Sequence, residues 1–289
     1  MSIPELLQMT LTGINLGVMY ALIAVGLTLI FGVMRIIQYA HGEMYMLGAF
    51  VLYYWTEKFA MPFWLGILAS FIVIFALGAV LQIILFRPLH GKNILNSLAV
   101  SLGLVFIISS TGQIFFGTTV KGIDSVVTGG LVFGFVYFSY ERLMITVVAT
   151  IIIFSLWVFL KKTKMGTAIR AVSEDPDAAA LQGIQTQRIH WLAFGLGSGL
   201  AAIAGCLMGT LLSIVPSMGF LATIKAFMIV IMGGLGSVPG AVIGGLMLGM
   251  IDSVVTTTIA ADVAIIVSFV VIFLVLVFKP TGLFGQKWD

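Results

Sequence analysis

Charge is what this sequence has least of. Of its 289 residues only 14 are basic and 11 acidic, 9% in all, where an average soluble chain carries about 25%. So few charges cannot cover a surface facing water, which excludes a soluble domain, and a hydrophobic share of 61% excludes a disordered chain. Cysteine is nearly absent as well. Cys206 has no internal partner, which excludes a disulfide scaffold, and its apolar setting reads as a packed thiol. His41, His90 and His190 are dispersed without ligand spacing, so no metal site is expected. The net charge of +3 comes from basic residues lying between apolar runs, which gives no sign of a nucleic-acid partner. Met1-Ser2-Ile3-Pro4-Glu5 lacks the basic start of a cleaved signal, so the first apolar run is expected to be a retained span.

What is there is a succession of apolar runs. A membrane span needs about 20 such residues, and candidates lie at 6–33, 63–86, 95–116, 143–160, 191–214 and 263–278, with a shorter one at 44–55. From 220 to 258 the chain is apolar but interrupted at Gly233-Gly234-Leu235-Gly236-Ser237-Val238-Pro239-Gly240. Backbone broken at membrane depth is stable only when buried in protein or lining water. The expected fold is therefore an all-α polytopic membrane protein of about eight or nine transmembrane helices, with a Gly-rich broken-helix element at 233–240. The spacings Gly195/Gly199, Gly205/Gly209, Gly240/Gly244 and Gly245/Gly249 predict faces where helix backbones meet closely.

Two stretches lie outside this pattern. Residues 161–190 are the long hydrophilic segment, and residues 117–142 are mixed, with Gly129-Gly130 and the aromatics Phe133, Phe135, Tyr137, Phe138 and Tyr140. The second reads as a hairpin or interfacial excursion, or as an ordinary aromatic belt. With 161–190 on the cytoplasmic side and alternating crossings, Arg35, Arg87, Lys92, Lys161, Lys162, Lys164, Arg170, Arg188, Lys279 and Lys287 collect inside. Lys58, Lys121 and Arg142 fall outside, and Lys225 lies within a span. That bias predicts a cytoplasmic C-terminus and, with nine crossings, an outer N-terminus.

In the hydrophilic segment, Asp175-Pro176-Asp177 is a helix start and Gly183 a natural stop, which predicts a short helix over Ala178-Ala179-Ala180-Leu181. Composition alone favours a solvated loop that follows the positive-inside bias. Asp177-Ala178-Ala179-x-x-x-Gly183 resembles the EAA-type loop of ABC-importer permeases, with Asp where Glu is common. The preceding Thr163-Lys164-Met165-Gly166-Thr167-Ala168-Ile169-Arg170-Ala171 resembles the branched-chain amino acid branch of those permeases. So do three further blocks in order: Gly17 through Leu27 leading to Ala40 through Ala49, Lys225 through Gly245, and Lys279-Pro280-Thr281-Gly282-Leu283-Phe284-Gly285. The resemblance runs along nearly the whole chain.

It implies a single permease domain over 1–289, with 161–190 as the cytoplasmic coupling loop and 117–142 as a periplasmic excursion. It also implies a non-enzymatic inner-membrane subunit that moves branched-chain or other hydrophobic amino acids by alternating access. The implied partners are a second, homologous permease of different sequence, two cytoplasmic ATP-binding subunits and a periplasmic substrate-binding protein, besides membrane lipid. The coupling residues implied are Gly166, Arg170, Asp175, Asp177, Ala178, Ala179 and Gly183. No Gly-x-x-x-x-Gly-Lys-Ser/Thr run occurs, so ATP and Mg belong to partner subunits and this chain binds no cofactor. A urea or short-chain amide permease shares the same scaffold motifs. A secondary transporter or channel is the reading from another class.

Polar residues inside the apolar runs mark a candidate translocation pathway. His41, Gly42 and Glu43 either open a helix toward a path or form an interfacial cap, with Glu43 paired to Arg35 or another basic neighbour. Lys225 and Asp252 lie on opposite arms of the interrupted segment at nearly equal distance from its turn, which predicts their approach. Gly233, Gly234 and Gly236 would expose half-helix ends to a zwitterion.

Overall fold

A computed structural model describes residues 3–133 and 136–285. Phe135 and Lys287, and the ends of the expected 1–289 domain, lie outside the described residues. Among the described residues, eleven α-helices and one small hairpin form the main elements: α1 Ile3–Met34, α2 His41–Tyr53, α3 Phe63–Leu81, α4 Ile94–Phe116, β1 Gly130–Phe133, β2 Val136–Ser139, α5 Tyr140–Lys162, α6 Lys164–Glu174, α7 Pro176–Leu181, α8 Thr186–Leu211, α9 Met218–Gly233, α10 Val238–Thr258 and α11 Ala261–Phe278. Seven of the described helices are long and apolar enough to cross a membrane, and the apolar α9, at 16 residues, is shorter. The expected eight or nine spans therefore reduce to seven by this measure. The chain is a polytopic, all-α membrane protein.

α1 and α8 form the centre, packed on each other and flanked by α2, α9 and α10. α4, α5 and α11 keep mostly exposed apolar faces, as expected where the surroundings are lipid or another apolar surface rather than water. Glycine sets how close the central helices come. A methyl at Gly249 would fall on the backbone of Gly17, and one at Gly245 would sit 2.6 Å from the Ala21 nitrogen. Gly26 and Gly197 back onto each other's carbonyl oxygens, and Gly205 meets the carbonyl of Tyr45. Every one of the four predicted glycine pairs has another helix or segment against it.

The interrupted stretch is not a helix broken at depth. α9 and α10 run antiparallel, joined by a turn whose Gly234 (φ 104°) and Gly236 (φ 81°) adopt a conformation that side chains disfavour. This turn lies beside Gly32, near the end of α1. The carbonyls of Met232 and Gly233 accept hydrogen bonds of 2.9 Å from Leu283 and Phe284 of the C-terminal tail. The half-helix ends expected to face a zwitterion are thus closed by the chain itself.

The interior discontinuity falls elsewhere, at residues 35–40. α1 ends at Met34, Arg35 takes a left-handed φ of 53°, and irregular backbone leads to the start of α2. His41 Nε2 donates to the carbonyl of Ile23 at 3.1 Å, a level ~16 Å back from the end of α1 at a rise of ~1.5 Å per residue. The segment therefore re-enters the bundle, and α2 begins inside it. A π-helical turn, Tyr54–Lys58, continues α2 outward.

Replacing Gly249 with Val should displace α10 from α1 and cost at least the ~1–3 kcal/mol of an overpacked core. Thermal unfolding of the purified protein in detergent checks this, with a fall in midpoint expected.

Candidate translocation site and coupling module

Lys225 of α9 and Asp252 of α10 meet, Nζ lying 2.6 Å from Oδ2, with side chains only 12% and 8% exposed. Tyr20 Oη donates to the same Oδ2 at 2.9 Å, while Ser268 Oγ and Lys225 Nζ both reach Oδ1 at 2.9 Å. The Asp252 carboxylate is therefore fully engaged from three other helices, α1, α9 and α11. Lys225 Nζ also stands 5.5 Å from the centre of the Tyr20 ring. Two charges out of water are tolerable only when paired and hydrogen-bonded in this way.

Lys225 and Tyr20 also line a cavity of about 350 Å³, enclosed further by Met19, Ile23, Tyr45, Met208, Ser213, Ser217, Leu221, Ala222 and Ile265. Asp252 is not among its lining residues, so the cavity meets the cationic end of the pair. Its walls are otherwise mostly apolar, with hydroxyls from Ser213, Ser217 and the two tyrosines.

The start of α2 is a second polar locus. Gly42 N donates to Thr223 Oγ1 at 3.0 Å, and that hydroxyl lies within donating distance of the carbonyls of Tyr39 (3.1 Å) and Gly219 (3.0 Å). A methyl on Gly42 would collide with the Gly219 carbonyl, so Gly42 permits close contact with α9 rather than opening a helix. Glu43 is carried into the interior beside Gly219, away from the bundle end where Arg35 sits. Its Oε2, His41 Nδ1 and both amide atoms of the fully buried Gln38 have no hydrogen-bond partner among the described residues. Gln38, Thr223, Tyr20 and Ser268 escaped the sequence reading. Each is uncharged, and the detectable signal was only a polar side chain within an apolar run.

The structure thus brings Lys225 and Asp252 together and places His41, Gly42 and Glu43 around a separate contact with α9. Gly233, Gly234 and Gly236 lie apart from both, in the closed turn.

Residues 161–190 hold the end of α5, all of α6 and α7, and the start of α8 at Thr186. Thr163 Oγ1 caps α6 by accepting from Gly166 N at 2.9 Å. Gly166 has no side chain because its Cα backs onto the Phe159 carbonyl, turning α6 sharply from α5. Asp175 Oδ1 caps α7, accepting from Asp177 N (2.9 Å) and Ala178 N (3.0 Å). Gly183, at φ 81°, ends that turn. Ala179 is the buried foot of α7, whereas Arg170, Asp177 and Ala178 are exposed. Leu181, which no motif reading singled out, is 88% exposed at the end of α7.

Breaking the buried pair from one side leaves an uncompensated charge, at ~3–5 kcal/mol. Lys225→Met alone should lower the unfolding midpoint of the purified protein sharply, and so should Asp252→Leu alone. The double substitution should recover most of the loss, as a double-mutant cycle in thermal unfolding will read.

The likeness to known proteins covers the same ground. A family model described as the permease component of branched-chain amino acid transport systems matches residues 9–276. The chain is 35% identical to the high-affinity branched-chain amino acid transport system permease protein BraD of Pseudomonas aeruginosa, over 97% of this chain and 96% of that one. To the permease protein LivH of the same kind of system in Escherichia coli it is 32% identical, over 81% of each chain. To LivM of Escherichia coli, also named as a high-affinity branched-chain amino acid permease, it is 25% identical over 77% of this chain and 58% of that one. With its apolar helices and interior polar groups, the chain belongs to the family of permease components of branched-chain amino acid transport systems, and is a multi-pass membrane transport protein rather than an enzyme.

Proposed function

We propose that this chain is one permease half of an ATP-driven importer that carries branched-chain or other hydrophobic amino acids inward by alternating access. The observation that carries this reading is α6–α7. Two capped helices project from the bundle end that also holds Arg35, Arg87, Lys92, Lys161, Lys162 and Lys279, and they hold out Leu181 beside Asp177 and Ala178. A leucine held out on a short, capped helix fits the apolar groove of a partner.

In this proposal α6 and α7 form the coupling element of residues 161–190, docked on one of two cytoplasmic ATP-binding subunits that hold ATP and Mg. Gly166, Asp175, Ala179 and Gly183 shape the element, and Arg170, Asp177 and Ala178 lie on its exposed side. The density of basic residues at this end supports a cytoplasmic placement, a cytoplasmic C-terminus and an outer N-terminus in a bacterial inner membrane. The opposite end carries the excursion 117–142, tied down by an antiparallel bridge between Lys121 and Ile214 and by Lys121 over the rings of Tyr53 and Tyr54. That end is offered to a periplasmic binding protein. Likeness to both LivH and LivM, two permeases of one organism, supports a second permease of different sequence as partner.

The test is Leu181→Asp in the complex co-expressed with its ATP-binding subunits. ATP-driven leucine uptake into proteoliposomes should fall at least tenfold, and the ATP-binding subunits should no longer co-purify. Uptake and association both unchanged would overturn the coupling assignment. Uptake that survives ATP depletion but collapses with a proton ionophore would make the chain a secondary transporter.

A further inference from the structure

We infer that the cavity beside Lys225 is a resting site for the transported molecule within the permease, selecting a small zwitterion with an aliphatic side chain. The inference rests on the importer reading and deepens it by naming where in this chain the substrate is held. At about 350 Å³ the cavity falls at the small end of the ~300–1,000 Å³ usual for small-molecule sites. That is room for one compact molecule.

Its chemistry is divided. Lys225 Nζ carries three N–H donors, and Asp252 takes hydrogen bonds to its two oxygens from behind the wall. The remaining donor is available to the cavity that Lys225 lines, and a carboxylate is its natural acceptor. Asp252 holds the ammonium in place and keeps the site close to neutral, so that a singly charged anionic group is attracted without being trapped. Hydroxyl oxygens of Ser213, Ser217 and Tyr45 are acceptors in the same lining for an ammonium. Met19, Ile23, Met208, Leu221 and Ile265 supply the apolar wall, against which an aliphatic side chain leaves water. A purely apolar occupant such as a lipid chain would leave the Lys225 donor unused.

The site predicts discrimination by size. In the complete complex, Ala222→Phe intrudes on the cavity while leaving the Lys225–Asp252 pair in place. ATP-driven leucine uptake should drop at least tenfold, and alanine uptake, measured in the same vesicles, less than threefold. Ser213→Trp, placed on the connecting loop where no helix is disturbed, narrows the cavity from another side and should give the same order of losses. Lys225→Arg should retain more leucine uptake than Lys225→Met at equal amounts of assembled complex. Equal losses for leucine and alanine, or no loss in either cavity variant, would overturn the subsite while leaving the importer reading intact. No ATP-driven uptake by the unmodified complex would overturn both.

Discussion

Everything in this bundle depends on α1 lying against α10 and α8 with almost nothing between the backbones. In hydrocarbon, helices gain little from leaving lipid for one another, so association rests on close van der Waals fit and on interior hydrogen bonds. Gly17 against Gly249, Ala21 against Gly245 and Gly26 against Gly197 provide that fit along the middle of α1. The consequence is positional. Only with α1 and α10 in contact does Tyr20 reach Asp252, and only with α9 folded back on α10 does Lys225 reach it too. A side-chain network spanning four helices is therefore the product of a few missing methyl groups.

The same fit leaves room for the re-entrant segment. Residues 35–40 carry irregular backbone from the bundle end back toward its interior, which lipid would not tolerate but protein does. The carbonyl of Tyr39 is met by the α9 hydroxyl of Thr223, and His41, just past the segment, reaches back to Ile23. A half-length α2 follows directly. Its 13 residues are too few to cross a membrane, yet they start inside and so need not.

Most spans were legible because apolar length is a strong, local signal: the runs at 95–116 and 263–278 became α4 and α11 almost residue for residue. The α7 cap was legible for the same reason, since Asp-Pro before a small-residue turn and Gly after it carries its own geometry. The Lys225–Asp252 approach followed from counting equal distances along two helices. The discontinuity was misplaced because glycine density looks alike in a tight turn and in a broken helix. What decides between them is tertiary: the tail residues Leu283 and Phe284 return to bond the free carbonyls, some fifty residues after the turn. At 35–40 the opposite holds. Arg-Ile-Ile-Gln-Tyr-Ala contains no glycine or proline, so nothing local announces that the helix stops there. The hydrophilic stretch hid α6 because its helix buries only Gly166, Ile169 and Val172 against the bundle.

The distribution of satisfied and unsatisfied polar groups is uneven, and the unevenness has a direction. Around Tyr20, Asp252, Ser253 and Ser268 the buried groups have partners. Toward the end that bears α6 and α7 many do not: Thr28, Gln38, Gln82, His190 and Ser198 each leave a buried polar atom without a partner among the described residues. Such atoms cost ~1–3 kcal/mol apiece unless water or another arrangement meets them. Trp55 and Glu141 show that the other end is not free of such atoms, but there they are isolated. Arg35, whose guanidinium reaches the Glu174 carbonyl at 3.4 Å, ties α6 to the end of α1. Hydrogen bonding thus anchors the bundle more completely around the Lys225–Asp252 pair than at the end that bears α6 and α7.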